Sequence, residues 1–376
     1  MSELFENFEK FRTNKELSSI YEFPLYTDNP GIIGAMESKP VSLLNPVIQN
    51  NKGIFLPRII LRYFCYINDD AAIDFDSKPE EEKSKIKSYD SAPNELSYLI
   101  NLCLGIRTKV GSCMRHFKPT GSNSNYGFIS NSQYYPNYEK EVLVSGYPLI
   151  PSLFRTVNLS IESFFNKLIY MEEIELRNAV RAAKLYSNAL FLAERSPKIS
   201  WIMLVSAIEA AAESKRYKID NLELIKIEFP DLCDLIGSSN KSLEIFKELN
   251  KVINLKAQKK FIQFTTTYYK IPQKRTDLPN GFLIDWDNFD TALKKIYEYR
   301  SNALHSVGIG AFPNEMCYPP FKIHDEKEVE IEREWVGEKF YGRGSVRLKQ
   351  DDIPMNLAKF EEIVRVSLLN WIEDTK

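Results

Sequence analysis

The chain has 376 residues and a mass of 43.6 kDa, enough for about two domains. Hydrophobic residues make up 44% of it and charged residues 27%, which is too apolar for a disordered chain and too polar for a membrane bundle. Because 49 Lys and Arg balance 51 Asp and Glu, the net charge of −2 excludes a uniformly basic nucleic-acid-binding surface but is compatible with a local basic patch.

Cysteine and histidine usage argues against disulfides and metals. The cysteines are odd in number and scattered, unlike a disulfide framework; they are Cys65, Cys103, Cys113, Cys233 and Cys317. Cys113 and His116 form only half of a zinc pattern, so we expect neither a metal nor another cofactor. The charged N-terminus lacks the apolar core of a signal peptide, and the most apolar window, 201–212, is too short to span a bilayer. We therefore expect a soluble cytoplasmic protein that does not bind membranes.

The first 150 residues predict a mixed α+β domain. Residues 54–67 are rich in Ile, Phe and Tyr, which indicates one or two strands broken at Pro57. Asn94 is a suitable N-cap for a helix through NELSYLINLCLGI. The polar stretch 121–137 is typical of a loop. We place the end of this domain, whose role would be recognition of a trigger, partner or substrate, at residue 150.

From residue 155 to 376 the pattern is that of a helical domain. Apolar residues recur at spacings of three and four, which predicts helices over 157–171, 172–194, 196–216, 243–264, 289–307 and 357–372. An insertion at 312–352 is punctuated by Pro and Gly, and within it KEVEIEREW and SVRLK alternate like a β-hairpin. The predicted fold class is an α+β N-terminal domain followed by a mainly α-helical bundle with a hairpin-like insertion.

The predicted helix at 289–307 carries an apolar stripe with a cation in it. The apolar members are Phe289, Leu293, Ile296, Ala303, Leu304 and Val307. Arg300 occupies the next position of that stripe, and a permanent cation there must meet an anion, a partner subunit or a water-filled cleft. One interpretation is a structural ion pair with Glu209, which lies in VSAIEAAA, a helix apolar on nearly all sides.

A second interpretation is chemical. His305 follows Arg300 by five residues and lies in the last turn, where the helix dipole favours a protonated imidazole. Arginine offers a planar fork to phosphate oxygens, and histidine carries a proton near neutral pH. Cleavage of a phosphodiester by the neighbouring 2′-hydroxyl needs these two functions and no metal. Taken alone, a histidine at this position is more often a C-terminal capping residue.

The segment IYEYRSNALHSVG resembles the closing motif of HEPN domains, most closely their ApeA-like branch, and SWIMLVSAIEAAAES resembles an earlier helix of that family. The resemblance covers residues 160–376. It implies a HEPN-like bundle and a metal-independent endoribonuclease of a prokaryotic toxin or antiphage defence system. It also implies an RNA substrate, a homodimer whose two motifs meet in one cleft, and an antitoxin or a phage-derived trigger as partner.

The family motif is Arg-polar-x3-His, and it assigns roles to matching positions. Arg300 would bind phosphate and stabilise transition-state charge, His305 would be the general acid and base, and Ser301 is the polar residue after the arginine. That polar position is more often Asn, Asp or His, and here the asparagine is displaced to Asn302. Asn302 and Glu209 are assigned supporting roles.

A basic and aromatic segment precedes this helix. Residues 251–275 contain seven basic residues and no acid, with Phe and Tyr interleaved, which is the combination that a single-stranded RNA track requires. The predicted RNA contacts are Lys256, Lys259, Lys260, Lys270 and Tyr268. A solvated lysine-rich helix face with a phenylalanine core beneath it would show the same pattern.

The rival to an enzyme is a non-catalytic module that holds RNA, a nucleotide or a partner protein. The serine at 301 and the long insertion after Val307 keep that alternative open.

Overall fold

The computed structural model describes residues 2–45, 56–67, 90–118, 127–129, 148–213, 257–271, 282–305, 312–317, 323–324 and 353–375. The fold is mixed α+β and rich in helix, as predicted. The helices are α1 (Glu3–Arg12), α2 (Ala92–Leu104), α3 (Glu162–Ile169), α4 (Glu173–Leu192), α5 (Pro197–Ala212), α6 (Ala257–Tyr268), α7 (Phe289–His305), α8 (Asn314–Cys317) and α9 (Leu357–Asp374), with a 3-10 turn at Pro151–Phe154. The strands are β1 (Ser19–Thr27), β2 (Ile32–Ile33), β3 (Val41–Leu44), β4 (Leu56–Cys65), β5 (Thr108–Val110), β6 (Arg115–Phe117), β7 (Phe128–Ile129), β8 (Val157–Asn158), β9 (Phe282–Leu283) and β10 (Ile323–His324).

The N-terminal part is built on an antiparallel sheet of order β3-β4-β1-β6-β7, with β5 also pairing with β1. The predicted break at Pro57 is wrong, because β4 runs through it as one strand. The register shifts between Leu25 and Tyr26, where Pro57 enters the pairing. A proline has no amide hydrogen to donate to the ladder, and such an irregularity accommodates it.

Two further predictions in this part need correction. Helix α2 begins at Ala92 with Ser91 in the N-cap position, so Asn94 lies inside the first turn together with Pro93. The first turn tolerates a proline, because an amide there has no partner within the helix. Within the predicted loop 121–137, Phe128–Ile129 form β7, which pairs with β6; the remainder of that loop lies outside the described residues, apart from Gly127.

Several of the predicted helices are present with shifted ends. The helix predicted over 157–171 begins only at Glu162, because Val157–Asn158 pair instead with Ile32–Ile33 in a two-stranded sheet. Pro197 stands in the first turn of α5 after Ser196, as predicted, but the Ser196 side chain makes no capping hydrogen bond. Only the end of the predicted helix 243–264 is described, as α6, and the proposed hairpin lies outside the described residues.

One hydrophobic core joins the sheet and the helices. At its centre the fully buried Trp201 of α5 stacks between Phe312 and Phe360, with ring centroids 5.1 and 4.6 Å away. Polar ties also cross residue 150: the Asn101 amide of α2 donates to Ser187 Oγ of α4 at 2.7 Å. The parts on either side of the predicted boundary are therefore packed together, and the boundary itself stays a prediction.

In the part of the chain described, no helix has the length and apolar character needed to cross a membrane.

Candidate functional site

Arg300 of α7 and Glu209 of α5 form the ion pair at the centre of the site. Nη2 of Arg300 lies 2.6 Å from Oε2 of Glu209, and each side chain is 19% exposed. Helix α5 is buried along most of its length, and Glu209 lies on its less buried side. The partner predicted for Arg300 is therefore confirmed.

Tyr297 completes the arrangement from one turn earlier on α7. Its hydroxyl donates to Oε1 of Glu209 at 2.8 Å, so both carboxylate oxygens are occupied. The guanidinium carbon of Arg300 lies 5.5 Å from the centroid of the Tyr297 ring. Burial, and then the hydrogen bond to Glu209, raise the pKa of Tyr297 to about 12, so the phenol stays protonated and keeps donating. These contacts hold the Arg300 side chain in one orientation.

Arg300 and Glu209 line a cavity of about 600 Å³ between helices α4, α5, α6 and α7. Its charged walls contain four cations and two carboxylates, a formal surplus of positive charge; they are Arg181, Lys184, Lys260, Arg300, Glu209 and Glu213. Such a volume is typical of a ligand site, and the charge favours an anion.

The two cations on α4 are paired with carboxylates that are at least partly exposed. Arg181 Nη1 lies 2.7 Å from Glu213 Oε2, and both side chains are more than half exposed. Lys184 Nζ lies 2.6 Å from Asp90 Oδ2, and this hydrogen bond raises the pKa of Lys184. Pairs this exposed are weak in water, so a phosphate can compete for the cations.

The remaining residues of the predicted motif lie nearby. His305 is the last residue of α7; its side chain lies outside what the structure describes. Five helical residues separate the Arg300 and His305 backbones by about 7.5 Å along the axis and about 140° around it. Ser301 is half-buried and Asn302 exposed, and the described lining of the cavity includes neither.

The apolar stripe of α7 is buried only in its first half. Phe289, Leu293 and Ile296 are at most 2% exposed, but Leu304 is 51% exposed. The predicted apolar stripe is therefore not buried along its whole length, since Leu304 near the end of α7 is exposed.

The residues predicted to contact RNA lie in different surroundings in the structure. Lys260 lines the cavity, Lys259 is half-buried one residue before it, and Lys270 is exposed beyond the far end of α6. Tyr268 cannot stack on a base. Its ring is 5% exposed, packs on Phe264 at 4.8 Å between centroids, and its hydroxyl donates to Asp374. Lys256 lies outside the described residues.

Sequence reasoning missed the contribution of α4. Arg181, Lys184 and Asn188 recur at spacings of three and four in VRAAKLYSNAL, which places them on one face of the helix. The spacing of these polar residues was the sequence signal for a binding face on α4. The alanine-rich opposite face, which packs into the core, shows a stronger helical periodicity in the sequence.

Cys113 and His116, the two residues of the half zinc pattern, make hydrogen bonds and a ring contact within the protein. The Cys113 thiol donates to the Arg115 carbonyl at 3.2 Å. His116 Nε2 lies 3.1 Å from Ser19 Oγ, and its ring stacks on Tyr21 at 4.7 Å. Among the residues described, no cluster of three His, Cys, Asp or Glu could hold a metal ion.

No known protein family, curated protein or solved structure matches the chain.

Proposed function

We propose that the protein is a metal-independent endoribonuclease, with a HEPN-like helical part, that cleaves RNA at the cavity containing Arg300. The observation that carries the proposal is the position of this arginine. Its guanidinium lies in the wall of a cavity with surplus positive charge, five residues before a histidine on the same helix. Arginine and histidine together supply what cleavage by a 2′-hydroxyl requires.

Arg300 keeps part of its hydrogen-bonding capacity free for a phosphate. Glu209 engages Nη2 and Nε is buried, whereas Nη1 makes no hydrogen bond within the described part of the chain. A guanidinium presents its donors in one plane, so a phosphate can be bound at the remaining edge while Glu209 orients the group. Tyr297 fixes the carboxylate in turn, and the three side chains form a pre-organised phosphate site.

The proposed reaction is an internal transfer at phosphorus. The ribose 2′-oxygen loses its proton to a general base and attacks the adjacent phosphorus, the bond to the 5′-oxygen breaks, and that oxygen receives a proton. The products are a 2′,3′-cyclic phosphate and a 5′-hydroxyl. His305 carries the proton and Arg300 neutralises the extra negative charge that develops on the phosphoryl oxygens.

A homodimer would bring a second copy of the motif to the cleft. The half-exposed Leu304, one residue before His305, supplies apolar surface at the end of α7 that a second copy can cover. Ser301 and Asn302 would then act at the dimer cleft, since the described lining of the cavity within one chain does not include them.

The second candidate function is a non-catalytic module that binds RNA or a nucleotide. It is favoured by the complete pairing of Glu209 with Arg300 and Tyr297, which satisfies a buried cation without any catalytic role.

Incubation of the purified full-length chain with mixed RNA in EDTA separates the two functions. Cleavage that persists in EDTA and leaves 2′,3′-cyclic phosphate ends supports the enzyme, and Arg300→Lys should abolish it because the planar fork is lost. Arg177→Lys, the same exchange at an exposed position of α4, is the matched control and should remain active. RNA that is bound but never cut would establish the binding module, and cleavage restored only by magnesium would point to a different site.

A further inference from the structure

A second cavity lies on α4 beside the one that contains Arg300. It measures about 510 Å³ and is bounded by α2, α4 and the segment from β5 to Cys113. Asn188 of α4 lines both cavities. We propose that this second cavity, called here the α2–α4 cavity, binds a base and ribose of the RNA strand whose phosphate lies at Arg300. The proposal rests on the proposed function and adds a substrate-recognition site formed largely by the N-terminal part.

The walls of the α2–α4 cavity suit a nucleobase. Three half-buried aromatic side chains, Phe23, Tyr98 and Phe191, line it from three different elements. Unpaired bases stack on such rings, and stacking is a main source of affinity for single-stranded RNA. Lys109 Nζ lies 4.6 Å from the centroid of the Phe191 ring, so one wall already carries a cation.

The same cavity is rich in hydroxyl and amide groups and poor in charge. Hydroxyls and amides can hydrogen-bond base edges and the ribose, and those of Ser91, Asn94, Ser112 and Asn188 line the cavity. The hydroxyls of Ser97, Thr108 and Ser187, which also line it, are buried and hydrogen-bonded within the protein. Lys109 is the single charged residue in its described lining. This chemistry suits a base and a ribose better than a polyphosphate, which would require several cations.

One wall of the α2–α4 cavity is held by a hydrogen-bond network centred on the buried Asn101. Asn101 Nδ2 donates to Thr108 O at 3.1 Å and to Ser187 Oγ at 2.7 Å, while its Oδ1 accepts from Thr108 N at 2.7 Å. These bonds tie α2, β5 and α4 together behind two residues of the cavity lining, Thr108 and Ser187. A rigid, pre-formed wall reduces the entropy lost on binding.

Two residues of α4, Lys184 and Asn188, link the two cavities. Lys184, which lines the Arg300 cavity, has its ammonium 5.8 Å from the centroid of Tyr98, which lines the other. The Asn188 amide makes no hydrogen bond within the described part of the chain, which leaves both its donor and its acceptor for a ligand. A single strand can therefore place a phosphate at Arg300 and a neighbouring base against Tyr98 and Phe191.

Protection of a thiol tests occupancy without measuring cleavage. Cys113 lines the α2–α4 cavity and is half-exposed, whereas Cys65 and Cys317 are buried. Full-length protein is mixed with single-stranded RNA carrying 2′-fluoro groups, which cannot be cut by 2′-attack, and is alkylated with a maleimide at mildly alkaline pH. We expect Cys113 alkylation to slow in proportion to the fraction of protein bound. Cys103 cannot serve as an internal reference, because burial raises the pKa of its thiol to about 12; glutathione added to the same mixture is the reference and should react at an unchanged rate.

Variants then identify the wall that binds the base. Phe191→Ala and Tyr98→Ala, two residues that line this cavity and not the one with Arg300, should each weaken binding of the 2′-fluoro strand about tenfold, the amount expected for one lost stacking position. Tyr170→Ala is the matched control, since this aromatic ring is 66% exposed and lies outside both cavities. Circular dichroism establishes that each variant is folded before its affinity is compared.

The outcomes separate this proposal from the proposed function. Cleavage in EDTA with Cys113 unprotected and normal binding by both variants overturns the α2–α4 site and leaves the ribonuclease intact. Protection of Cys113 and tenfold weaker binding support the site whether or not cleavage is seen. A chain that neither binds nor cuts RNA overturns both.

Discussion

Arg300 and Glu209 lie 91 positions apart in the chain and meet with Nη2 and Oε2 2.6 Å apart, on helices α7 and α5. Each side chain is about four-fifths buried, so the pair is neither a fully solvated contact nor a dry one. The pair joins helix α7 to helix α5 at the wall of the charged cavity. We therefore expect the pair to stabilise the folded protein whether or not the site is catalytic.

Arg300→Ala should lower the free energy of unfolding by about 1–3 kcal/mol, because the mostly buried Glu209 is left without its cation. The double variant with Glu209→Ala should be less destabilised than the sum of the two single variants, since the pair is then removed as a unit. Denaturant unfolding of the four chains measures this coupling. Arg181→Ala removes an exposed ion pair with Glu213 and should cost less than about 1 kcal/mol. Strictly additive effects at Arg300 and Glu209 would show that the contact contributes nothing.

His305→Ala should reduce RNA cleavage by about 10² or more, the usual contribution of a general acid or base. RNA affinity and melting temperature should change little, because His305 is the last residue of α7, beyond the part of the helix that packs into the core. Initial rates on an end-labelled RNA and a thermal melt give both quantities. Lys294→Ala, at an exposed position of the same helix, is the control. Full activity in His305→Ala, with loss of folding alone in Arg300→Ala, would favour the structural interpretation of the ion pair.

The proposed homodimer makes a prediction about Leu304. Light scattering should return twice the chain mass of 43.6 kDa at micromolar concentration. Leu304→Lys should shift the protein to the monomer, because a charge then replaces apolar surface at the end of α7. Ile174→Lys makes the same change at a 59% exposed position of α4 and should leave the dimer intact. If the wild-type protein is a monomer, the proposal of a cleft shared between two copies is contradicted.

Stability should fall as pH rises through the neutral range because of Glu95. This side chain is 3% exposed, and its Oε2 has no hydrogen-bond partner among the described residues. Burial, followed by the nearby charges of Asp90 and Glu3, raises its pKa to about 8 against the opposing effect of Lys184. Since the folded state holds this proton when the unfolded state has lost it, stability decreases between the ordinary Glu pKa and pH 8.

Glu95→Gln should remove that part of the pH dependence. Its free energy of unfolding should exceed that of the wild type at alkaline pH by at least about 1.4 kcal/mol, the equivalent of one pKa unit. Urea unfolding at mildly acidic and mildly alkaline pH measures the difference, with Glu298→Gln at an exposed position of α7 as the control. Identical pH profiles for Glu95→Gln and the wild type would contradict the raised pKa.

The amino-acid sequence by itself determined the helices with strong periodicity and the partner of the buried arginine. Helices α4, α5 and α9 lie within a few residues of their predicted ends, because an amphipathic pattern is a local property of the chain. Glu209 could be predicted because it is the carboxylate within a helix that is otherwise nearly all apolar. An arginine in an apolar stripe needs such a partner.

Only the tertiary structure decided which faces meet. It placed Arg181 and Lys184 in the wall of the Arg300 cavity, buried Tyr268 away from any RNA, and exposed Leu304 at the end of an apolar stripe. It also turned residues Val157–Asn158 into a strand by pairing them with a distant segment. These outcomes depend on contacts between elements far apart in the chain. Periodicity shows that a face is apolar or charged, but the neighbour that covers it is set by how the whole chain packs.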